Sequence, residues 1–247
     1  MQREITSVVA LLEALAKDSV EYTGTVWYRG QARSEWPLSP GYMRLTEPPS
    51  EATLLMRFKQ SAAMLIEKTP RDSFDWLFLM QHFGVPTRLL DWSESPLVAL
   101  YFAVENNDND NGHDGALWLL HPSELNKNAN INNKDEKGYI PSFEDDELKG
   151  YSVESLAQNR KTQLLPVATI ATRNNARIQA QLGVFTIHHH DNISIEAVGN
   201  SSHIIKYVIP SAAKSVISKQ LQLLGFGRFQ LFPELASLGA IIKGGVQ

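Results

Sequence analysis

Hydrophobic spacing along the chain alternates between helical and strand-like stretches. After the capping candidates Thr6 and Ser7, the residues Val8, Leu11, Leu12 and Leu15 recur at i, i+3, i+4 and i+7, which predicts a first helix with these side chains inward. Thr25 to Tyr28 is aromatic and β-branched and leads into Arg29-Gly30, the pattern of a strand running into a turn. Pro37, Pro40 and Gly41 keep the next stretch irregular. Ser50 caps a second helix with Leu55, Phe58, Ala62 and Leu65 inward, closed by Thr69-Pro70. A third starts near Ser73 and carries Gln81 and His82 on its last turn before Gly84, a left-handed terminator.

The segment 84–95 (GVPTRLLDWSES) reads as turn-rich, and its Ser95-Pro96 forms an N-cap and N1 pair for a fourth helix, PLVALYFAVE, apolar nearly all round. A loop, NNDNDNGHDG, then precedes a strand at 115–120. Residues 126–150 are rich in Asn, Lys, Asp and Glu and poor in aliphatics, which predicts a polar loop insertion or a mobile segment. Beyond it, NARIQAQLG reads as a short helix closed by Gly183, and 184–188 and 204–209 read as strands. Ser211 opens a helix with Ala213, Val216, Ile217, Leu221 and Leu224 inward and a stop at Gly225. The tail, LFPELASLGAIIK, predicts one more short helix.

Composition narrows the chemistry. The 247 residues, 43% of them hydrophobic, suffice for one large core, and we read residues 1–247 as a single domain. A net charge of −4 gives no overall attraction to phosphate backbones or anionic membranes. The absence of cysteine removes thiolate catalysis and Cys-based metal sites and suits a reducing compartment. The N-terminus lacks the pattern of a signal peptide and no apolar run approaches a membrane span, so a cytoplasmic protein without membrane partners is expected.

Polar residues interrupt the apolar pattern in particular places. Arg29 ends an apolar strand, and Gly30 beside it lets a ligand or another backbone come close, which suits guanidinium recognition of phosphate or carboxylate; a strand-end ion pair is the alternative. His82, Thr87, Arg88 and Asp91 bring a proton carrier, a hydroxyl, a cation and a carboxylate together between apolar helices, either as a binding loop or with Arg88 and Asp91 as an internal pair. Arg177, Gln179 and Gln181 precede a strand; amides orient ligands but are not strong bases. His188 and His190 would share a strand face, the start of a metal site, yet no third ligand stands at a diagnostic spacing, so no metal is expected and the alternative is an exposed strand end. Serine-hydrolase, P-loop and dinucleotide-binding fingerprints are missing.

Together the motifs WYRGQ (27–31), WPL (36–38), QHFGVPTRLLDW (81–92), ALYFA (99–103), Arg177-Ile178 with Gln181, Gly183 and Phe185, and LFPEL (231–235) resemble the FRG domain. Tyr28-Arg29-Gly30 is, more distantly, similar to the first motif of arginine-type ADP-ribosyltransferases. The resemblance implies an α+β fold, a central and mostly antiparallel sheet flanked by helices. It also implies NAD as substrate, held by Arg29, Gly30, Gln31, Thr87, Arg88, Ser93 and Gln181. On that reading Asp91, His82 and Glu94 carry the chemistry, because Gln179-x-Gln181 stands where that superfamily has carboxylates. The partners implied are a nucleotide-type small molecule and a protein or nucleic-acid acceptor or a neutralising protein. The alternative is a non-catalytic nucleotide- or phosphate-binding module of a bacterial or phage-associated defence or toxin system. A third reading, a nucleic-acid hydrolase using Arg29, Arg33 and Arg44, is disfavoured by the charge balance.

Overall fold

Seven strands form one sheet in the order β1-β7-β4-β2-β3-β6-β5. In this computed structural model the described residues are all but 1–2, 19, 21, 67–68, 106–111, 133–135, 160, 172–174 and 245–247. Most of the loop expected after the fourth helix, and the middle of the polar insertion, lie outside them. The strands are β1 (Arg3–Glu4), β2 (Trp27–Gln31), β3 (Leu89–Ser93), β4 (Gly115–Leu120), β5 (Val167–Thr169), β6 (Gly183–Ile187) and β7 (Ile204–Ile209). Among the described strands, β1 and β7 pair in parallel and every other pair is antiparallel. The helices are α1 (Val8–Asp18), α2 (Glu51–Ala62), α3 (Ser73–His82), α4 (Pro96–Val104), α5 (Pro122–Asn128), α6 (Val153–Gln158), α7 (Ala176–Ala180), α8 (Ser211–Leu223), α9 (Arg228–Leu231) and α10 (Leu235–Gly244). The fold is α+β, as expected. No helix among the described residues is long and apolar enough to cross a membrane.

Strand alternation sorts the core into layers. On β4, Leu117 and Leu119 pack against α1, α4 and α8, while Ala116, Trp118 and Leu120 face the opposite side with Trp27 and Leu125. On the other half of the sheet, Leu89, Phe185, Ile187 and Val167 pack against α2 and α3 through Leu55, Leu77 and Met80. Two helical layers therefore cover separate halves of the sheet.

Local signals explain most boundaries. Ser50 and Ser95 accept hydrogen bonds from the backbone N–H groups of Thr53 and Val98, and Gly84 and Gly225 close α3 and α8 in the left-handed region. The differences are instructive. Arg29-Gly30 lies within β2, and the segment read as turn-rich contains β3, a sheet strand between β2 and β6. Leu182, not Gly183, takes the positive φ after α7; Gly183 begins β6, where a Cβ would come within 3.2 Å of Ile178. Leu12, Leu65, Val216 and Leu224, expected inward, are exposed, and the tail forms two helices, α9 and α10, with Pro233 between them. The polar stretch 126–150 contributes Asn126, Phe143 and Leu148 to the interior. Asn126 belongs there because its amide satisfies both backbone groups of Ala168, at 2.7 and 2.9 Å.

Candidate functional site

β2 and β3 are in register at a single pair, Tyr28 opposite Ser93. Beyond that point β2 stays with β4 and β3 with β6, so the sheet opens between Arg29–Gln31 and Leu89–Asp91. Nη1 of Arg29 crosses the gap and donates to the backbone carbonyl of Asp91 at 2.5 Å. A side chain thus supplies the donor that an unbroken ladder would have supplied from backbone.

A cavity of about 340 Å³ occupies this split. The strands line it with Arg29, Gly30, Gln31, Asp91 and Ser93; α3 and the turn of α7 add Gln81, His82, Arg177 and Gln181; and α4 adds Ala99 and Phe102. The loop after β2 contributes Trp36, Ser39 and Arg44, and Glu105 closes the end of α4. The volume lies in the range of small-molecule sites, about 300–1,000 Å³.

Most residues expected here meet in this cavity, and their hydrogen bonds separate groups open to it from those tied into the scaffold. Arg29 is half-buried, and its Nε is fully enclosed with no hydrogen-bond partner among the described residues. Desolvation pulls its proton affinity below the ordinary arginine value and the positive charge of Arg44 adds to that, while the negative charge of Asp91 opposes both. Asp91 is exposed in the cavity, with Oδ2 held by Nε2 of Gln81 at 2.9 Å. His82 lies at the rim; burial first, then Arg177, hold its pKa below the usual histidine value, and Glu234 works the other way.

Other lining residues are occupied. The hydroxyl of Ser93 donates to the carbonyl of Gln181 at 2.7 Å and accepts from the N–H of Ser95 at 2.9 Å. The amide of Gln31 spans the carbonyl of Pro37 and Nε1 of Trp118. Nε2 of Gln181 donates to the carbonyl of Leu231. Gly30 makes room for backbone: a Cβ there would sit 1.8 Å from the carbonyl oxygen of Ala99 and 2.6 Å from the nitrogen of Ala103. Of the two approaches that a glycine permits, the close one at this position is that of helix α4.

Thr87, Arg88 and Glu94 do not line the cavity. Thr87 is fully buried and donates to Oε1 of Gln81, setting that amide so that its nitrogen reaches Asp91. Arg88 does not pair with Asp91. It is buried against Glu51, Nε to Oε2 2.6 Å, and donates to the carbonyls of His188 and Tyr151. Glu94 is exposed outside the lining, its backbone N–H on the carbonyl of Leu182. His188 and His189, read as an exposed strand end, are buried, and no cluster among the described residues could hold a metal ion. Spacing did not mark Gln81, Glu105 and Glu234 as site residues. The helical register of Gln81, one turn ahead of Val85 and beside His82, was the available signal for the first; the other two depend on tertiary contacts.

Residues 24–112 match the family model of the FRG domain, a stretch that includes Arg29, His82, Thr87, Arg88 and Asp91. The later motifs at 177–185 and 231–235 lie beyond it. No curated protein and no solved structure matches the chain.

Proposed function

We propose that the cavity binds an NAD-type nucleotide, with a phosphate on Arg29. The carrying observation is the guanidinium of Arg29 in the wall of an open cavity that Arg44 also lines. A phosphate oxygen meeting the cavity face of that guanidinium would be held by a charge-assisted hydrogen bond, stronger than one between neutral groups. Arg44 adds a second cation to the lining, and Trp36, Tyr28 and Phe102 supply aromatic surface for a base or nicotinamide ring.

NAD bound there would supply an ADP-ribosyl group: its C1′–nicotinamide bond breaks, nicotinamide leaves with the electron pair, and an acceptor nucleophile bonds to C1′ and loses its proton to solvent or His82. The exposed carboxylate of Asp91, fixed by Gln81, is the group that would stabilise positive charge at C1′. Binding without turnover is the second reading. It is favoured by the engaged hydroxyl of Ser93 and by the position of Glu94 outside the lining, which leave Asp91 with little support.

Calorimetric titration with NAD, ADP-ribose and inorganic pyrophosphate tests the binding. Arg29→Ala should weaken each by tenfold or more, about 1.4 kcal/mol or above, with the fold intact. Absence of binding at millimolar ligand would refute the proposal. Nicotinamide release from NAD separates the two readings.

A further inference from the structure

The segment Arg228–Leu235 lies outside the family match and outside the cavity lining, yet it holds lining residues one after another. The ring of Phe232 carries the guanidinium of Arg177 at 4.7 Å and that of Arg228 at 5.4 Å, with Phe102 edge-on at 5.9 Å. Arg228 reaches Glu105 at 3.4 Å, and the carbonyl of Leu231 accepts from Gln181. At the end of this segment Oε1 of Glu234 stands 3.9 Å from Nε2 of His82.

That carboxylate oxygen is enclosed and has no hydrogen-bond partner among the described residues. Such an atom is costly unless a donor comes to it. The histidine nitrogen is just beyond hydrogen-bond reach. His82 faces Arg177 from α7 and Glu234 from the tail, packs edge-on with Phe83 at 4.8 Å, and shares the cavity with Arg29 and Asp91. Two opposing charges therefore act on one imidazole, and the cation sits in the cavity wall where an anion would bind.

We propose that Glu234 is the positioning residue of His82, and that an anion bound beside Arg177 brings a proton from solvent onto His82, which then closes the gap to Glu234. The coupling rests on the cavity being an anion site; the pairing does not. With Arg177 neutralised, the carboxylate of Glu234 becomes the dominant charge near the imidazole, so the protonated form gains. Closure draws Phe232 and Arg228 with it, because they belong to the same short segment. Ligand charge, protonation and the far wall of the cavity are thereby linked.

The test is the NMR titration of His82, its signal identified by loss in His82→Asn, in the wild type, Glu234→Gln, Glu234→Asp and Arg177→Gln. Without ligand, Glu234→Gln should move the midpoint down, Glu234→Asp should keep it near the wild type, and Arg177→Gln should move it up. Inorganic pyrophosphate should raise the wild-type midpoint, and less so in Glu234→Gln. Equal midpoints in the wild type and Glu234→Gln overturn the pairing whatever pyrophosphate does. If pyrophosphate fails to bind the wild type, the anion-site reading and the coupling fall together; binding with no change in the midpoint overturns the coupling alone.

Discussion

The guanidinium of Arg88 and the carboxylate of Glu51 meet at 2.6 Å in the interior, joining the entry to β3 to the first turn of α2 across a separation of 37 residues. Oε1 of Glu51 also accepts from the backbone N–H of Arg88, and the remaining arginine donors reach the carbonyls of His188 and Tyr151. Satisfied in this way, the pair fixes the strand that carries Asp91.

Removing either partner strands the other as an uncompensated buried charge. Glu51→Ala and Arg88→Ala should each lower stability by about 3–5 kcal/mol, read by urea denaturation. Arg29→Ala, which removes a half-buried cation from an open cavity, should cost far less stability while weakening ligand binding. A stable Arg88→Ala protein would contradict the structural assignment.

Gly30→Ala should be among the most damaging single changes, because backbone stands on both sides of the added methyl, 1.8 Å from the oxygen of Ala99 and 2.6 Å from the nitrogen of Ala103. Neither can rotate away as a side chain would. A loss of about 3 kcal/mol or more is expected, or no soluble protein. A well-folded Gly30→Ala protein would mean that α4 crosses β2 less closely.

Burial depresses the pKa of His188 to about 3, with the charge of Arg88 adding to the effect and the nearby Ile193 backbone opposing it. Burial, His190 and Arg88 bring His189 to about 4, against the Gly150 backbone and Asp191. Both folded values lie below the unfolded value of about 6.5, so at mildly acidic pH the unfolded chain binds more protons. The stability contributed by the neutral rings is full above that value and declines as pH falls toward 4, by about 1.4 kcal/mol per unit for each ring. Denaturation midpoints at pH 7, 6 and 5 check this, and His188→Leu should flatten the slope. An unchanged slope would exclude His188 as its source.

Asn126→Ala should cost about 1–3 kcal/mol for each backbone group of Ala168 left unpaired, despite its position in a strongly polar stretch. Hydrogen exchange should rise at Ala168 first. A neutral substitution would mean that β5 finds other partners.

Where the information was local, the sequence was a reliable guide. The caps at Ser50 and Ser95, the terminator Gly84 and the all-buried strand 115–120 each depend on neighbours within a few residues, and the structure places them as expected. β3 was hidden because Leu89, Leu90, Trp92 and Ser93 are all buried, erasing the alternation that marks a half-exposed strand, while Pro86, Asp91 and Glu94 imitate a turn. The clustering of Arg29, His82 and Asp91 was legible from their placement at the ends of apolar segments. The assignment of Arg88 was not, because its partner Glu51 reads on α2 as an ordinary first-turn acid.

Taken alone, the chain determined most of its element types and caps and the few polar interruptions from which a site could be built, since those follow from spacing and backbone preference. Only the tertiary structure decided which of those residues face the cavity and which are spent on the fold. Charge pairing and burial depend on distance in space: they sealed Arg88 against Glu51, left Nε of Arg29 without a hydrogen-bond partner among the described residues, and brought Glu234 from late in the chain to His82.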